Sequence, residues 1–79
     1  MIETVEHGTV RELRLARPPV NALDPALLGA LREAVREATA AGREAIVLSG
    51  SPGRFSGGLD VPALLALDHA GILDAWRTF

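Results

Sequence analysis

The 79-residue sequence contains no cysteine, no lysine and no tyrosine. The absence of cysteine excludes a disulfide framework, a thiolate nucleophile and a cysteine-based zinc site. The absence of lysine excludes a Schiff base and the lysine of a phosphate-binding P-loop. The two histidines, His7 and His69, lie near opposite ends of the chain. We therefore predict no metal site.

Basic charge and long apolar runs are also scarce. Eight arginines stand against ten acidic residues, a net charge of -2, so no basic field attracts nucleic acid or a membrane surface. No apolar run approaches the roughly 20 residues of a membrane-spanning helix, and the first residues do not resemble a signal peptide. A hydrophobic fraction of 48% indicates a packed core. We predict a soluble cytoplasmic domain, or part of one, with neither nucleic acid nor membrane as partner.

The distribution of apolar residues predicts an α/β fold in which strands and helices alternate. Two short strands are predicted at 2–6 and 9–15, with a turn between them. A third strand is predicted at 45–49, and its continuous apolar run is typical of a strand buried on both faces.

Two helical regions complete the predicted fold. The first spans 24–41, with Asp24 as its N-cap and Gly42 just past its end. Its apolar stripe consists of Leu27, Leu31, Ala34, Val35 and Ala38. The second region spans 61–79 and is interrupted near Asp68. Its apolar side consists of Leu65, Ile72, Leu73, Trp76 and Phe79.

Two loops are candidates for a functional site: the first loop (16–23) and the second loop (49–59), each of which leaves the carboxyl end of a strand. If those strands are parallel, both loops lie at the sheet edge where α/β proteins bind ligands. Gly57 and Gly58 precede a helix and leave N–H groups that suit an anion or a polarised carbonyl. The alternative is that the glycines provide only a flexible connection.

These two loops carry motifs of a known family. The segment Arg-Pro-Pro-Val-Asn-Ala-Leu at 17–23 resembles the Arg-Pro-x-x-Asn-Ala-Leu signature of the enoyl-CoA hydratase/isomerase (crotonase) superfamily. The segment Phe-Ser-Gly-Gly-Leu-Asp at 55–60 resembles its Phe-(Ser/Ala/Cys)-(Ala/Gly)-Gly-x-Asp signature. The resemblance covers nearly the whole chain and implies the N-terminal part of a crotonase-like ββα spiral fold, with the rest of that domain absent.

The resemblance implies a site built largely from backbone groups. The N–H of Leu59 would be one of two oxyanion-hole donors and would stabilise the enolate of an acyl-CoA thioester. Gly57 would offer its carbonyl to the CoA adenine, and Asn21, Ala22 and Leu23 would line the CoA groove, mainly through the backbone of Ala22. The residues implied at the CoA site are Val20, Ala22, Leu23, Gly57, Gly58, Asp60 and Val61.

Further expectations come from the resemblance alone. The substrate would be an acyl-CoA thioester, with CoA as part of the substrate and no separate cofactor. The reaction would be hydration of an enoyl-CoA or a shift of its double bond, and the full-length protein would be a homo-oligomer, a trimer or hexamer. The acid/base carboxylates and the second oxyanion donor would lie beyond Phe79, so that this chain alone would be inactive.

Several residues keep a plainer interpretation beside the functional one. Asp60 is better explained as a helix N-cap than as a catalytic group. Arg17 and Arg54 could serve the CoA phosphates, but we expect solvated loop charges. Trp76 and Phe79 are expected to pack rather than to stack on a ligand.

The chain ends within a predicted helix, on an apolar stripe, which we interpret as the front part of a longer fold. The alternative is a non-catalytic module that docks on a partner through its apolar C-terminal helix.

Overall fold

A computed structural model describes all 79 residues, Met1–Phe79. It contains a three-stranded sheet and three helices, which confirms the predicted α/β class. The strands are β1 (Ile2–His7), β2 (Val10–Leu15) and β3 (Ala45–Ser49). The helices are α1 (Pro25–Ala40), α2 (Val61–Leu65) and α3 (His69–Thr78). None of these helices has the length and apolarity that crossing a membrane requires.

The sheet combines a hairpin with a parallel pair, in the order β1-β2-β3. β1 and β2 are antiparallel, and Gly8 turns the chain between them with a φ of 63° that favours glycine. β2 and β3 are parallel, with Leu13 opposite Leu48. Helix α1 supplies the crossover that a parallel pair requires. The first and second loops therefore both follow the carboxyl end of a parallel strand, as predicted.

Helix α1 begins and ends where the sequence predicts. The Asp24 side chain accepts a hydrogen bond from the N–H of Leu27 at 2.8 Å and so caps the first turn. At the other end Gly42 has a φ of 73°, and its N–H donates to the Thr39 carbonyl. The next N–H, that of Arg43, donates to the Ala38 carbonyl, which completes a Schellman ending.

The break in the C-terminal helical region also has a local cause. The Asp68 side chain caps α3 by accepting from the N–H of Gly71 at 2.8 Å, and Asp60 caps α2 by accepting from Ala63 at 3.1 Å. Each aspartate satisfies a helix N–H that has no partner inside its helix. The predicted interruption near Asp68 is confirmed, and so is the interpretation of Asp60 as an N-cap.

The core lies between one face of the sheet and α1, with a small contribution from α3. β2 contributes its inward-facing leucines because side chains alternate along a strand. The buried apolar residues are Leu13, Leu15, Leu27, Leu28, Ala38 and Ala75. Val35, which the predicted α1 stripe included, is exposed instead.

The prediction that β3 is buried on both faces is wrong. β3 is an edge strand that pairs only with β2, and Ile46, Val47 and Leu48 are all exposed, Val47 by 49%. An apolar run of this kind is typical of a strand with neighbours on both sides and layers on both faces. This chain supplies a pairing strand on one side only.

The expected packing of Trp76 and Phe79 is confirmed only in part, because both line a small apolar pocket but remain largely exposed. Trp76 is 59% and Phe79 64% exposed, and Leu65 in α2 is 77% exposed. Of α3 only Ala75 is buried in the core. The two aromatic rings instead contact each other edge to face, with centroids 6.0 Å apart.

Candidate functional site

The two loops lie side by side and share a short parallel pairing between Leu23 and Leu59. The N–H of Gly57 donates to the Val20 carbonyl at 2.7 Å, and the N–H of Leu23 donates to Gly58 at 2.8 Å. The N–H of Asp60 donates back to the Leu23 carbonyl at 2.9 Å. The backbone of the second loop is therefore fixed against the first at three successive points.

This pairing leaves the N–H of Leu59 without a partner in the chain. In a parallel pair, one residue bonds to the two neighbours of its opposite residue, and the opposite residue points its own polar groups the other way. Here Leu23 bonds to Gly58 and Asp60, so Leu59 directs its N–H away from Leu23. The Gly57 carbonyl and the Ala22 N–H also have no partner within the chain. Three backbone groups at residues with predicted ligand contacts are thus unpaired, whereas the Ala22 carbonyl and both backbone groups of Leu23 have partners within the chain.

Both glycines of the second loop are required by their surroundings. Gly58 has a φ of 90°, which other residues rarely adopt. Gly57 has an ordinary φ, but a Cβ there would lie 3.3 Å from Cγ2 of Val20, closer than nearly all such contacts. Gly57 therefore permits a close approach of the two loops and Gly58 a positive φ, so the two glycines are more than a flexible connection.

Asn21 is the buried residue that joins the loops. It is 1% exposed and has a φ of 52°, a conformation that asparagine tolerates better than most residues. Its Oδ1 accepts from the Arg17 N–H at 2.7 Å, and its Nδ2 donates to the Phe55 carbonyl at 2.9 Å. Its own carbonyl accepts from Ser56 Oγ at 2.8 Å. The Asn21 side chain is thus fully engaged in holding the loops together.

The expectation that Arg17 is a solvated loop charge is wrong. Its guanidinium lies 3.3 Å from Oδ2 of Asp24 and 3.2 Å from Oδ2 of Asp60. It also donates to the Ala22 carbonyl at 2.8 Å. The sequence offered no signal for this arrangement, because the two aspartates are 36 positions apart and meet only when the loops do. Arg54, by contrast, is exposed, with one long contact of 3.4 Å to the Pro19 carbonyl.

The residues implied at the CoA site therefore differ in which of their polar groups remain free to bind a ligand. Val20 and Leu23 use backbone groups in pairing with the second loop, and Asp60 uses both carboxylate oxygens within the chain. Val61 begins α2 and is exposed. Leu59, besides its free N–H, contributes to the lining of a small apolar pocket between α1 and α3. The assignment of these residues to CoA stays a prediction.

A polar cluster on the sheet face opposite α1 was missed by the sequence analysis. Ser49 and His7 each hydrogen-bond the Glu12 carboxylate, as does Arg14. These hydrogen bonds lower the pKa of Glu12 from 4.5 to about 2. The bond from Ser49 has the largest effect, and that from His7 the next largest. The histidine contacts the carboxylate and not the serine, so this is not a nucleophile–base pair. The cluster depends on the registers of β1 and β3 against β2, which the sequence does not show.

An open apolar groove of about 520 Å³ lies between α1, the end of β3, the second loop and Phe79. Leu15, Leu31, Leu48 and Phe55 are among its lining residues, together with Arg32 and Arg36 of α1. Leu59 and Gly57 are not among them. The groove nevertheless reaches Leu23 and Ser56, which neighbour the unpaired groups of Ala22 and Gly57.

Sequence comparison finds relatives that are much longer than this chain. No protein-family model matches. The peroxisomal fatty acid beta-oxidation multifunctional protein AIM1 of Arabidopsis thaliana is 37% identical over 73 residues, 89% of this chain and 10% of that protein. The peroxisomal bifunctional enzyme of Pongo abelii is 39% identical over 56 residues, 70% of this chain and 8% of that protein. The chain thus spans a tenth or less of these relatives.

Structural comparison gives matches over nearly the whole chain. An enoyl-CoA hydratase (EchA3) of Mycobacterium marinum has a TM-score of 0.81 at 28% identity, covering 98% of this chain and 33% of that one. An enoyl-CoA isomerase of Mycobacterium tuberculosis gives 0.81 at 27% identity, with the same two coverages. An enoyl-CoA hydratase of Thermoplasma volcanium gives 0.81 at 27% identity, covering 92% of this chain and 30% of that one.

The matched structures include both hydratases and an isomerase, so the similarity does not choose between these activities. What it does establish is the fold, over about one third of the length of each solved relative. The two motifs that suggested the family, at 17–23 and 55–60, form the paired loops described above. In sequence and in fold, this chain matches the N-terminal portion of the enoyl-CoA hydratase/isomerase (crotonase) superfamily.

Proposed function

We propose that this chain is part of an acyl-CoA enzyme and that the N–H of Leu59 donates to the thioester oxygen of the substrate. The observation that carries the proposal is the unpaired Leu59 N–H, held in place by the bonds of its two neighbours to Leu23. A donor fixed in this way costs no reorganisation when charge develops on the substrate. The similarity of the chain to an enzyme superfamily supports the same conclusion.

The proposed chemistry is stabilisation of an enolate. When the α-carbon of an acyl-CoA loses a proton, or when water adds to an enoyl-CoA, negative charge moves onto the thioester oxygen. A hydrogen bond to that oxygen lowers the barrier, and the loss of one such donor costs about 3 kcal/mol in comparable sites. Hydration and double-bond shift both pass through such a charge, so both are compatible with the proposal. The acid/base groups are not assigned to this chain.

Other parts of the proposal come from the superfamily. CoA would enter as part of the substrate, with no separate cofactor, and the whole protein would form a trimer or hexamer in the cytoplasm. The Gly57 carbonyl and the Ala22 N–H would contact the CoA moiety, an assignment supported by the lack of a partner for either group within the chain.

The first test is an acyl-CoA binding titration on the native protein, combined with an intact-mass measurement. We expect saturable binding of an enoyl-CoA and turnover by hydration or isomerisation. Leu59→Pro removes the N–H and should lower kcat by about 100-fold to 1,000-fold. Leu59→Met keeps the N–H and the side-chain volume, so it should retain most of the activity.

A second variant guards against misfolding of the proline variant. Replacing the Leu59 amide by an ester through semisynthesis removes the N–H, which makes no hydrogen bond within the chain, and weakens the Gly58 carbonyl as the acceptor for the Leu23 N–H. A normal kcat in this ester variant would contradict the assignment of Leu59. No acyl-CoA binding by the native protein would contradict the enzyme proposal as a whole.

The second candidate function is a module that docks on a protein partner through α3. The exposure of Trp76 and Phe79 favours it, but the enzyme proposal also accounts for that exposure if further chain covers the same face. The two are separated by the native mass: a native chain of 8.3 kDa that ignores acyl-CoA supports the module. A much heavier chain that binds acyl-CoA supports the enzyme.

A further inference from the structure

The guanidinium of Arg17 contacts three groups that lie on the two sides of the paired loops. The Ala22 carbonyl lies in the first loop and the Asp24 carboxylate directly after it, whereas the Asp60 carboxylate directly follows the second loop. The Arg17 side chain is 31% exposed and each aspartate 19%, so these charges are shielded from water more than those of a surface pair. Arg17 is therefore a link between the loops.

The position of Asp60 connects this link to the proposed oxyanion donor. Asp60 directly follows Leu59, and its N–H donates to the Leu23 carbonyl. Its carboxylate is held by Arg17 through Oδ2 and caps α2 through Oδ1. The peptide N–H of Leu59 thus lies one residue from a side chain that is fixed at both of its oxygens.

The charges explain why the link matters. Asp24 and Asp60 both reach the same guanidinium, so each carboxylate lies close to the other's charge. Without Arg17 the two carboxylates repel each other in a partly buried setting, where screening is weaker than at the surface. The repulsion acts on Asp60 and so tends to shift the second loop against the first.

We infer that Arg17 is a positioning residue that holds the two loops in the register that aims the Leu59 N–H at the thioester oxygen. The inference rests on the proposed function of Leu59, and it assigns to Arg17 no contact with the substrate. A misplaced donor destabilises the transition state more than the bound substrate, because the hydrogen bond to the thioester oxygen is strongest when negative charge has developed there. Loss of Arg17 should therefore lower kcat and leave KM nearly unchanged.

The test compares Arg17→Gln with Arg77→Gln in the native protein. Arg77 lies in the last turn of α3, is exposed and forms no ion pair, so its loss should change nothing. Arg17→Gln should lower kcat about tenfold to 100-fold, the scale expected when a reacting geometry shifts by about 1 Å. The infrared carbonyl band of bound thioester should shift toward its frequency in solution.

A rescue variant separates positioning from a general loss of stability. Adding Asp60→Asn to Arg17→Gln keeps an oxygen that can cap α2 and removes the repulsion between the carboxylates. We expect the double variant to recover part of kcat and of the carbonyl shift. An equal fall in activity and folded fraction, with no change in the carbonyl band of the bound thioester, would overturn the inference.

Amide hydrogen exchange tests the same link without substrate. The N–H groups of Leu23 and Asp60, which bond across the loops, should exchange faster in Arg17→Gln than in Arg77→Gln. If the two variants have equal exchange rates and equal kcat, the inference fails even though the enzyme proposal stands. If the unsubstituted protein binds no acyl-CoA, the proposed function fails, and with it the catalytic role of Arg17. Faster exchange then supports only the link between the loops.

Discussion

The paired loops differ from the apolar edge, the region formed by β3 and α3. In the loops the buried polar side chains find partners within the chain, whereas at the apolar edge the large apolar side chains do not. At the loops, the buried Asn21 amide and the Arg17 guanidinium find partners more than 30 positions away. At the other region, formed by β3 and α3, large apolar side chains such as Val47 and Trp76 remain exposed. The buried polar side chains of the loops are thus hydrogen-bonded within the chain, whereas much of the apolar surface of β3 and α3 is left exposed.

The difference shows which interactions a short chain can complete. A hydrogen bond is satisfied by one well-placed partner, and two loops can supply it to each other. Burial of an apolar side chain needs contact surface from several helices or strands, and a small chain buries only a limited fraction of its surface. Exposed apolar surface of this kind marks a contact with something further, either more of the same fold or another protein.

The largest expected effect belongs to the core that supports both regions. Leu27→Ala removes a fully buried side chain from α1 and should lower the free energy of unfolding by about 2–5 kcal/mol. Urea unfolding of the protein measures the change, with Leu65→Ala as the matched control because Leu65 is mostly exposed. Equal losses from the two variants would mean that α1 does not carry the core.

The next largest effect tests the hydrogen bonds that Asn21 makes within and between the two loops. Asn21→Ala leaves the Phe55 carbonyl and the Arg17 N–H without their side-chain partner, and it places alanine at a positive φ. We expect a loss of about 2–3 kcal/mol, since each buried unsatisfied group costs about 1–3 kcal/mol. Asn21→Gly relieves the backbone strain only and should recover a small part of the loss. Full recovery would show that strain, and not hydrogen bonding, holds the loops.

A smaller effect should appear as a pH dependence from the sheet face. The pKa of Glu12 is lower in the folded state, about 2 against 4.5, so its interactions stabilise the fold above pH 4.5. That stabilisation should be lost as the pH falls from 4.5 toward 2. Glu12→Gln should flatten this part of the stability curve, whereas Glu33→Gln on α1 should not. An unchanged acid limb in Glu12→Gln would contradict the cluster.

The smallest effect on stability is expected at the apolar edge. Replacing Trp76 and Phe79 together by glutamine should change the free energy of unfolding by no more than about 0.5 kcal/mol, since both side chains are mainly exposed. The same change should reduce the binding of an apolar dye and any self-association seen in sedimentation. A large loss of stability would show that these aromatics pack in solution.

Some of the fold and site could be predicted because the cause is local. Asp24 and Asp60 each cap the helix that follows, the C-terminal helical region is interrupted near Asp68, and Gly42 ends α1. The motifs at 17–23 and 55–60 identified the superfamily. The burial of β3 could not be predicted in this way, because an apolar run says what a strand needs and not whether neighbours are present.

The role of Arg17 shows the same limit at the site. From the sequence it is one arginine beside prolines, and solvation is the natural expectation. In the fold it faces two helix caps that lie 36 positions apart. No local pattern encodes such a contact, because it exists only after β2 and β3 have aligned in parallel and brought both loops to one edge.

By itself, then, the sequence determined the elements, their caps and order, and the family motifs, all of which depend on residues within one or two turns of each other. The tertiary structure alone decided which backbone groups stay unpaired, which charges meet and which apolar faces remain uncovered. These depend on the register between distant segments, and above all on the parallel pairing of Leu23 with Leu59 that leaves one N–H free.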